Sequence, residues 1–137
     1  MTTKDIYGLA VRLGALSDLR GIDRVKKYLS KIRKQYEALS ESEQAEYDAE
    51  RLVNPYSDTR VLVDNAKGEI KKVLVGIDME TPELLLADRL ADIDLVIAHH
   101  PEGRALVSLD EVMHLQADIL AKYGVPINIA EVVMKNR

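Results

Sequence analysis

The first 53 residues carry the alternation of apolar and polar positions that is typical of helices. Between Asp18 and Leu39, apolar or aromatic residues recur at intervals of three and four, which is the stripe of an amphipathic helix. Ser40–Glu43 fits a capping box and predicts the start of a second, short helix. Asn54-Pro55 ends the pattern, because a residue before proline avoids the α region. The stripe consists of Ile22, Val25, Leu29, Ile32, Tyr36 and Leu39.

Beyond Tyr56 the pattern changes to that of strands. Thr59–Val63 is β-branched and apolar, and Ile70–Ile77 ends in a solid apolar run. Because turn-forming residues occupy positions 64–68 between them, the two runs predict a β-hairpin with a loop of about five residues. A solid apolar run is expected where both faces of a strand are covered.

Helical and strand patterns then alternate, which predicts a parallel βαβαβ sheet. Thr81 is predicted as the N-cap of a helix with Pro82 at its first position, and the next apolar run is Ile93–Ala98. A second capping box at Ser108–Glu111 starts another predicted helix, and Val125–Ala130 is predicted as the third parallel strand. The predicted fold class is therefore α/β, with a helical N-terminal extension followed by a hairpin and a parallel βαβαβ sheet with right-handed crossovers.

Two regions are predicted on this basis. Residues 1–55 form a helical extension packed on the core, and residues 56–137 form the α/β domain. Residues 131–137 resemble the first turns of another helix that has no length to bury its apolar side. We therefore expect the chain to be the N-terminal part of a longer protein.

Composition narrows the possible functions. The formal net charge of −4 over 137 residues disfavours general nucleic-acid binding. The absence of cysteine excludes disulfides, thiolate metal sites and a cysteine nucleophile. No apolar run approaches the roughly 18 residues that a membrane span requires, and the periodic N-terminus does not fit a signal peptide. We expect a cytoplasmic protein that does not engage a membrane.

Cations fill the polar surface of the Asp18–Leu39 segment. A solvated helix face is the simpler interpretation, and a face that binds a partner or a nucleic acid is the alternative. No aromatic side chain lies among the charges to form a stacking platform for bases. The cations are Arg24, Lys26, Lys27, Lys31, Arg33 and Lys34.

Two of the chain's three histidines, His99 and His100, follow the apolar run in the segment DLVIAHHPEG. In open parallel sheets, ligands bind at the carboxyl ends of the strands. Asp78 and Glu131 close the neighbouring predicted strands, so carboxylates and imidazoles would share one rim. This is a ligand set for Zn, Mn, Fe or Ni. Because adjacent strand residues point to opposite faces, the histidines suit two ions, or one ion and a general base.

Each candidate also has a structural explanation. A histidine at a strand end is often a hydrogen-bonded core residue, Asp78 would cap a helix or loop, and Glu131 would be an acid favoured by the helix dipole. Glu102 is near enough to orient a histidine ligand or to move protons. His114 and Asp118 are spaced for chelation on a predicted helix, although a surface hydrogen bond is the more common outcome of that spacing.

The two strand ends resemble the Nif-three-like proteins, a dinuclear-metal family often labelled GTP cyclohydrolase I type two. Lys71–Asp78 is similar to the family's strand ending in aspartate, and Asp94–Pro101 is similar to its strand running into His-His-Pro. The resemblance covers about Tyr56 to Ala130. It implies that His99 and His100 bind one or two divalent ions, and it implies a toroidal, cytoplasmic homo-hexamer with a poorly defined hydrolase-like role.

The chain also departs from the family pattern. Its helical start is longer, and Glu102-Gly103 replaces a bulky apolar residue after the proline. The family's late His and Glu ligands have no counterpart before residue 137, and Glu131 falls only near the place of the family's other aspartate. The resemblance therefore implies part of a metal site.

Together these features predict a divalent-metal-binding protein that hydrolyses a phosphoester or a nucleotide-like small molecule. His99, His100 and Glu131 are the predicted metal ligands, and Asp78 and Glu102 are the predicted catalytic residues. The alternative is a non-catalytic protein-interaction or regulatory module that works through the basic helical extension, with any metal structural.

Overall fold

The computed structural model describes residues 1–135, and helices dominate it. Two strands of four residues each, β1 (Val73–Gly76) and β2 (Leu95–Ala98), form the sheet of this described part. Residues Ala49–Leu52 form a short 3₁₀ helix. The α-helices are α1 (Thr3–Ser17), α2 (Ile22–Glu37), α3 (Glu41–Glu46), α4 (Thr81–Leu90), α5 (Arg104–Val107), α6 (Leu109–Lys122) and α7 (Ile127–Lys135).

The chain divides into two compact units, and each is built from two segments. Unit one comprises residues 1–10 and 58–109, which include the sheet. Unit two comprises residues 11–57 and those from 110 onward. None of the helices in residues 1–135 has both the length and the apolar character that a membrane crossing demands.

The helical pattern of the first region is confirmed in α2 and α3. Val25 and Ile32, both from the predicted stripe, are buried on α2. The predicted capping box begins α3: the backbone N–H of Glu43 donates to Ser40 Oγ at 3.4 Å, and the backbone N–H of Ser40 donates to the Glu43 carboxylate at 2.8 Å. These reciprocal bonds satisfy two N–H groups that a helix start would otherwise leave unpaired.

Unit one contains a β1–α4–β2 unit, so the first predicted βαβ crossover is confirmed. The strands are parallel, with Val73 opposite Leu95 and Gly76 opposite Ala98. The backbone N–H of Glu80 donates to the Glu83 carboxylate at 3.0 Å, so Glu80 is the N-cap of α4, one residue before the predicted N-cap Thr81. This crossover brings the ends of two apolar runs side by side.

Asp94 holds the backbone before β1 against the backbone before β2. Its Oδ2 accepts hydrogen bonds from the backbone N–H groups of Lys71 and Lys72, both at 2.8 Å. The Asp94 N–H donates in turn to the Lys72 carbonyl at 2.9 Å. The two accepted backbone bonds favour the ionised carboxylate and lower the pKa of Asp94. The first residue of the DLVIAHHPEG segment therefore sets the register of the sheet.

The predicted α/β fold class is wrong, because the described chain is helix-dominated and its sheet has two strands instead of a βαβαβ arrangement after a hairpin. Thr59–Val63 forms no strand. Backbone groups that a hairpin would pair find other partners: the Val61 carbonyl accepts from Arg104 Nη2 at 2.8 Å, and the Ile70 N–H donates to the Met1 carbonyl at 2.7 Å.

The third predicted strand, Val125–Ala130, is also wrong, because α7 begins within it. Pro126 has no N–H for a strand ladder, but directly before a helix the missing N–H costs nothing, because the first N–H groups of a helix have no partner within it. The Ala130 N–H donates to the Pro126 carbonyl at 3.0 Å, closing that turn. Ala130 is fully buried and Met134, one turn later, is partly buried, so the apolar residues follow a helical spacing.

Candidate functional site

The parallel pairing of β1 and β2 continues past the last residues of both strands. The His99 N–H donates to the Gly76 carbonyl at 2.9 Å, and the His100 N–H donates to the Ile77 carbonyl at 2.8 Å. These two bonds hold the residues after Gly76 beside those after Ala98, and His100 lies next to Asp78. The carboxyl edge of the sheet thus brings together two of the residues singled out in the sequence.

The side chains of Asp78 and His100 are in direct contact. Asp78 Oδ1 lies 2.7 Å from His100 Nδ1, and the two side chains are 64% and 57% exposed. In a neutral imidazole one ring nitrogen carries the proton and the other offers a lone pair. When Nδ1 carries the proton and donates to Asp78, Nε2 of His100 is available to a ligand on the solvent side.

The ring of His99 lies against that of His100. Their centroids are 5.2 Å apart and their planes are inclined by 35°. Neighbouring side chains of a strand would point to opposite faces, but both histidines follow Ala98, the last residue of β2, in a bend of the backbone. The two imidazoles therefore share one edge of unit one.

The other predicted site residues lie elsewhere in the chain. Glu102 is partly buried ahead of α5, where its carbonyl accepts the Ala105 N–H at 3.0 Å. Glu131 is exposed on α7, which belongs to unit two. Within residues 1–135, no three His, Asp or Glu side chains are grouped closely enough to hold a metal ion by themselves. The structure thus assembles Asp78, His99 and His100, but it does not assemble a complete ligand set.

A buried ionic cluster in unit two was not anticipated in the sequence. Arg20 Nη2 lies 2.9 Å from Asp18 Oδ2, and the two side chains are 7% and 1% exposed. Tyr56 donates its hydroxyl to the same Asp18 oxygen at 3.1 Å. Arg20 Nη1 also reaches Asp118 Oδ2 at 3.4 Å, although the Asp118 side chain is 46% exposed. The cluster ties the end of α1 to α6 and to the segment after Asn54.

Electrostatic coupling controls the ionisation of this cluster. Burial alone would raise the pKa of Asp18, but hydrogen bonds and charge from Arg20 outweigh it and lower the pKa. Burial likewise opposes the charge of Arg20, yet Asp18 and Asp118 raise its pKa. Burial, followed by the charge of Asp18, raises the pKa of Tyr56 to about 12. The ion pair is therefore fully formed at neutral pH.

The cluster is suited to holding structure rather than to binding a ligand. The adjoining cavity is only about 70 Å³, with Arg20, Tyr28, His114 and Asp118 among its lining residues. All three guanidinium nitrogens of Arg20 already face carboxylate oxygens. Asp118 therefore pairs with Arg20, and this ion pair explains its position without chelation by His114, the less favoured interpretation of their spacing. No sequence motif marks this cluster, because Asp-x-Arg is a common tripeptide.

The raised pKa of Tyr56 predicts a dependence of stability on pH in the alkaline range. Its pKa of about 12 exceeds the unfolded value of 10.0, so burial of the neutral phenol stabilises the fold below pH 10. That stabilisation is lost as the pH rises from 10 towards 12, because the unfolded chain releases the proton first. In absorbance titration at 295 nm, we expect one of the six tyrosines to ionise late. Tyr56→Phe should remove the late step, whereas Tyr123→Phe, at an exposed position, should leave it intact.

Comparison with known proteins adds no relative to these observations: no protein-family model, curated protein or solved structure matches the chain. The resemblance to the Nif-three-like proteins therefore stays a prediction based on the residues around Asp78, His99 and His100.

Proposed function

We propose that the chain is a cytoplasmic divalent-metal-binding protein in which His99 and His100 are metal ligands. The observation that carries this proposal is the contact of the Asp78 carboxylate with Nδ1 of His100. A carboxylate on the far nitrogen of a ligating histidine fixes the tautomer and the ring orientation, and it makes the ligating nitrogen more basic. Asp78 thus acts as a positioning residue instead of a ligand.

The donors at this edge suit Zn, Mn, Fe or Ni, because they are imidazoles supported by a carboxylate in a chain without cysteine. A bound ion would supply an activated water at neutral pH. Both histidines are exposed, so such a water would be open to a small substrate, for which a phosphoester or a nucleotide-like molecule is the proposed class. Glu102, two residues after His100, is the proposed proton carrier.

Two imidazoles are fewer ligands than a tight site normally uses. The remaining positions are proposed to be filled by water, by substrate or by side chains of another subunit. The hexamer that the family resemblance implies is the proposed source of such side chains. Glu131 is proposed as a metal ligand only in this sense, donated by a neighbouring subunit.

The first test is the metal content per chain, measured by elemental mass spectrometry on protein purified without chelating resin. We expect near-stoichiometric metal in the wild type and its loss in the His99→Ala/His100→Ala variant. His114→Ala is the matched control, because it removes the remaining histidine of the chain without touching the edge. Metal that persists in the double variant, or a wild type that stays metal-free after incubation with Zn²⁺ and Mn²⁺, would contradict the proposal.

A further inference from the structure

A second surface, independent of the metal site, lies on α2. Lys27, Lys31 and Lys34 line an open groove of about 580 Å³, and all three are exposed. They lie opposite the buried stripe of Val25 and Ile32, so they form the centre of the outward face of the helix. We call Lys27, Lys31 and Lys34 the lysine face. The groove is completed by Ser30, Gln35 and Ala38.

Charge is strongly segregated between this helix and the rest of the chain. The six cations of α2 against its two acids, Asp23 and Glu37, give it a charge of +4, while the whole chain carries −4, which leaves −8 elsewhere. None of the three lysines of the lysine face has an ion-pair partner among residues 1–135. Without internal partners, these charges are available to an anionic surface.

We propose that the lysine face binds an acidic helical segment of a partner protein. Lys27, Lys31 and Lys34 follow the helical spacing over about 10 Å, so carboxylates at the same spacing on a second helix would meet them one to one. Ser30 and Ala38 are small and lie beside the lysines, which lets a second backbone approach closely. The lysine stems add apolar contact beneath the charges.

A nucleic acid fits this surface less well. Three aligned lysines neutralise only a few phosphates, whereas a protein with a strongly electrostatic duplex interface makes roughly six to ten phosphate contacts. The face offers no aromatic side chain on which single-stranded bases could stack. The charge of −8 on the rest of the chain also repels a long polyanion more than it repels a short acidic helix.

The test uses a fluorescein-labelled alanine-based peptide of roughly 21 residues, or six helical turns, with glutamates at helical spacing. Its binding is measured by anisotropy at low and at physiological salt. The matched probes are a peptide of the same length and charge with a central Pro-Gly, which breaks the helix, and a DNA duplex. Lys27→Glu/Lys31→Glu/Lys34→Glu is the test variant, and the corresponding alanine triple keeps the test valid if charge reversal disturbs folding. Lys4→Glu/Lys67→Glu/Lys135→Glu makes the same change of net charge at exposed positions that do not line the groove.

The helical peptide should bind saturably, and both variants of the lysine face should weaken it, the reversal by roughly tenfold or more. The off-groove reversal should change the affinity by less than about twofold, because screening confines the effect to nearby charges. Three results would overturn the proposal: no binding of the helical peptide, equal weakening by the off-groove variant, or tighter binding of the duplex through the same lysines. Equal binding of the Pro-Gly peptide would overturn the helical part of it.

Discussion

Replacing Arg20 with alanine is expected to lower the free energy of unfolding by about 3–5 kcal/mol, the usual result of removing one partner from a buried ion pair. The reason is the environment of Asp18, whose side chain is 1% exposed and whose charge would lose its counter-ion. Tyr56 would remain as a hydrogen-bond donor to Asp18, but a neutral donor does not compensate a buried charge. The cavity left by the guanidinium adds to the loss.

Urea unfolding followed by circular dichroism measures this effect. Asp118→Asn is the control, because it removes a partner of Arg20 that is 46% exposed and 3.4 Å away, where a contribution of about 0–1 kcal/mol is expected. A cost for Arg20→Ala no larger than that of Asp118→Asn would show that Asp18 is solvated after all. The double variant Asp18→Leu/Arg20→Met should recover much of the stability, since no buried charge then remains.

The parts of the fold that follow from local pattern could be predicted from the sequence. The stripe of α2 and the capping box of α3 depend on residues within a few positions of each other, so the chain shows them directly. The β1–α4–β2 unit is also recognisable, because two apolar runs flank a helix of matching length. Each of these predictions needs only periodicity and a start signal.

The sequence pattern alone could not distinguish the predicted hairpin from irregular backbone, or the predicted third strand from a helix. A six-residue apolar run such as Val125–Ala130 satisfies a buried strand and a short helix equally well. Pro126 favours the helix, because it cannot donate to a strand ladder, but proline is also accepted in an edge strand. Thr59–Val63 has strand-forming residues, yet Leu62 and Val63 are exposed, so pairing them would have buried little apolar surface.

The candidate site was predictable in its location and not in its contacts. Strand ends that share one edge follow from a parallel crossover, which brings Asp78 and His100 together across 22 positions of sequence. The bend that places both imidazoles on one side does not follow from strand alternation. The Asp18–Arg20–Asp118 cluster depends on a contact across 98 positions, and no local pattern encodes such a contact.

Replacing Asp78 with asparagine is expected to weaken metal binding about 10–100-fold, the range found when the carboxylate behind a ligating histidine is lost. Asparagine keeps the size of the side chain but can turn its NH₂ group towards His100 Nδ1. A donor at that position makes Nδ1 the acceptor and leaves the proton on Nε2, the nitrogen proposed to hold the ion. The side chain of Asp78 is 64% exposed, so the fold should tolerate the change with little loss of stability.

Competition against a chromophoric chelator with Zn²⁺ or Mn²⁺ gives the affinity, and circular dichroism confirms that the variant is folded. Asp88→Asn is the matched control, since it makes the same chemical change at an exposed position of α4 in the same unit. A loss confined to Asp78→Asn would show that metal binding depends on the carboxylate at position 78 and not on the change of net charge in this unit. If Asp78→Asn bound the metal as tightly as the wild type, metal binding would not depend on a proton held at Nδ1 of His100. The arrangement proposed for this edge would then be wrong.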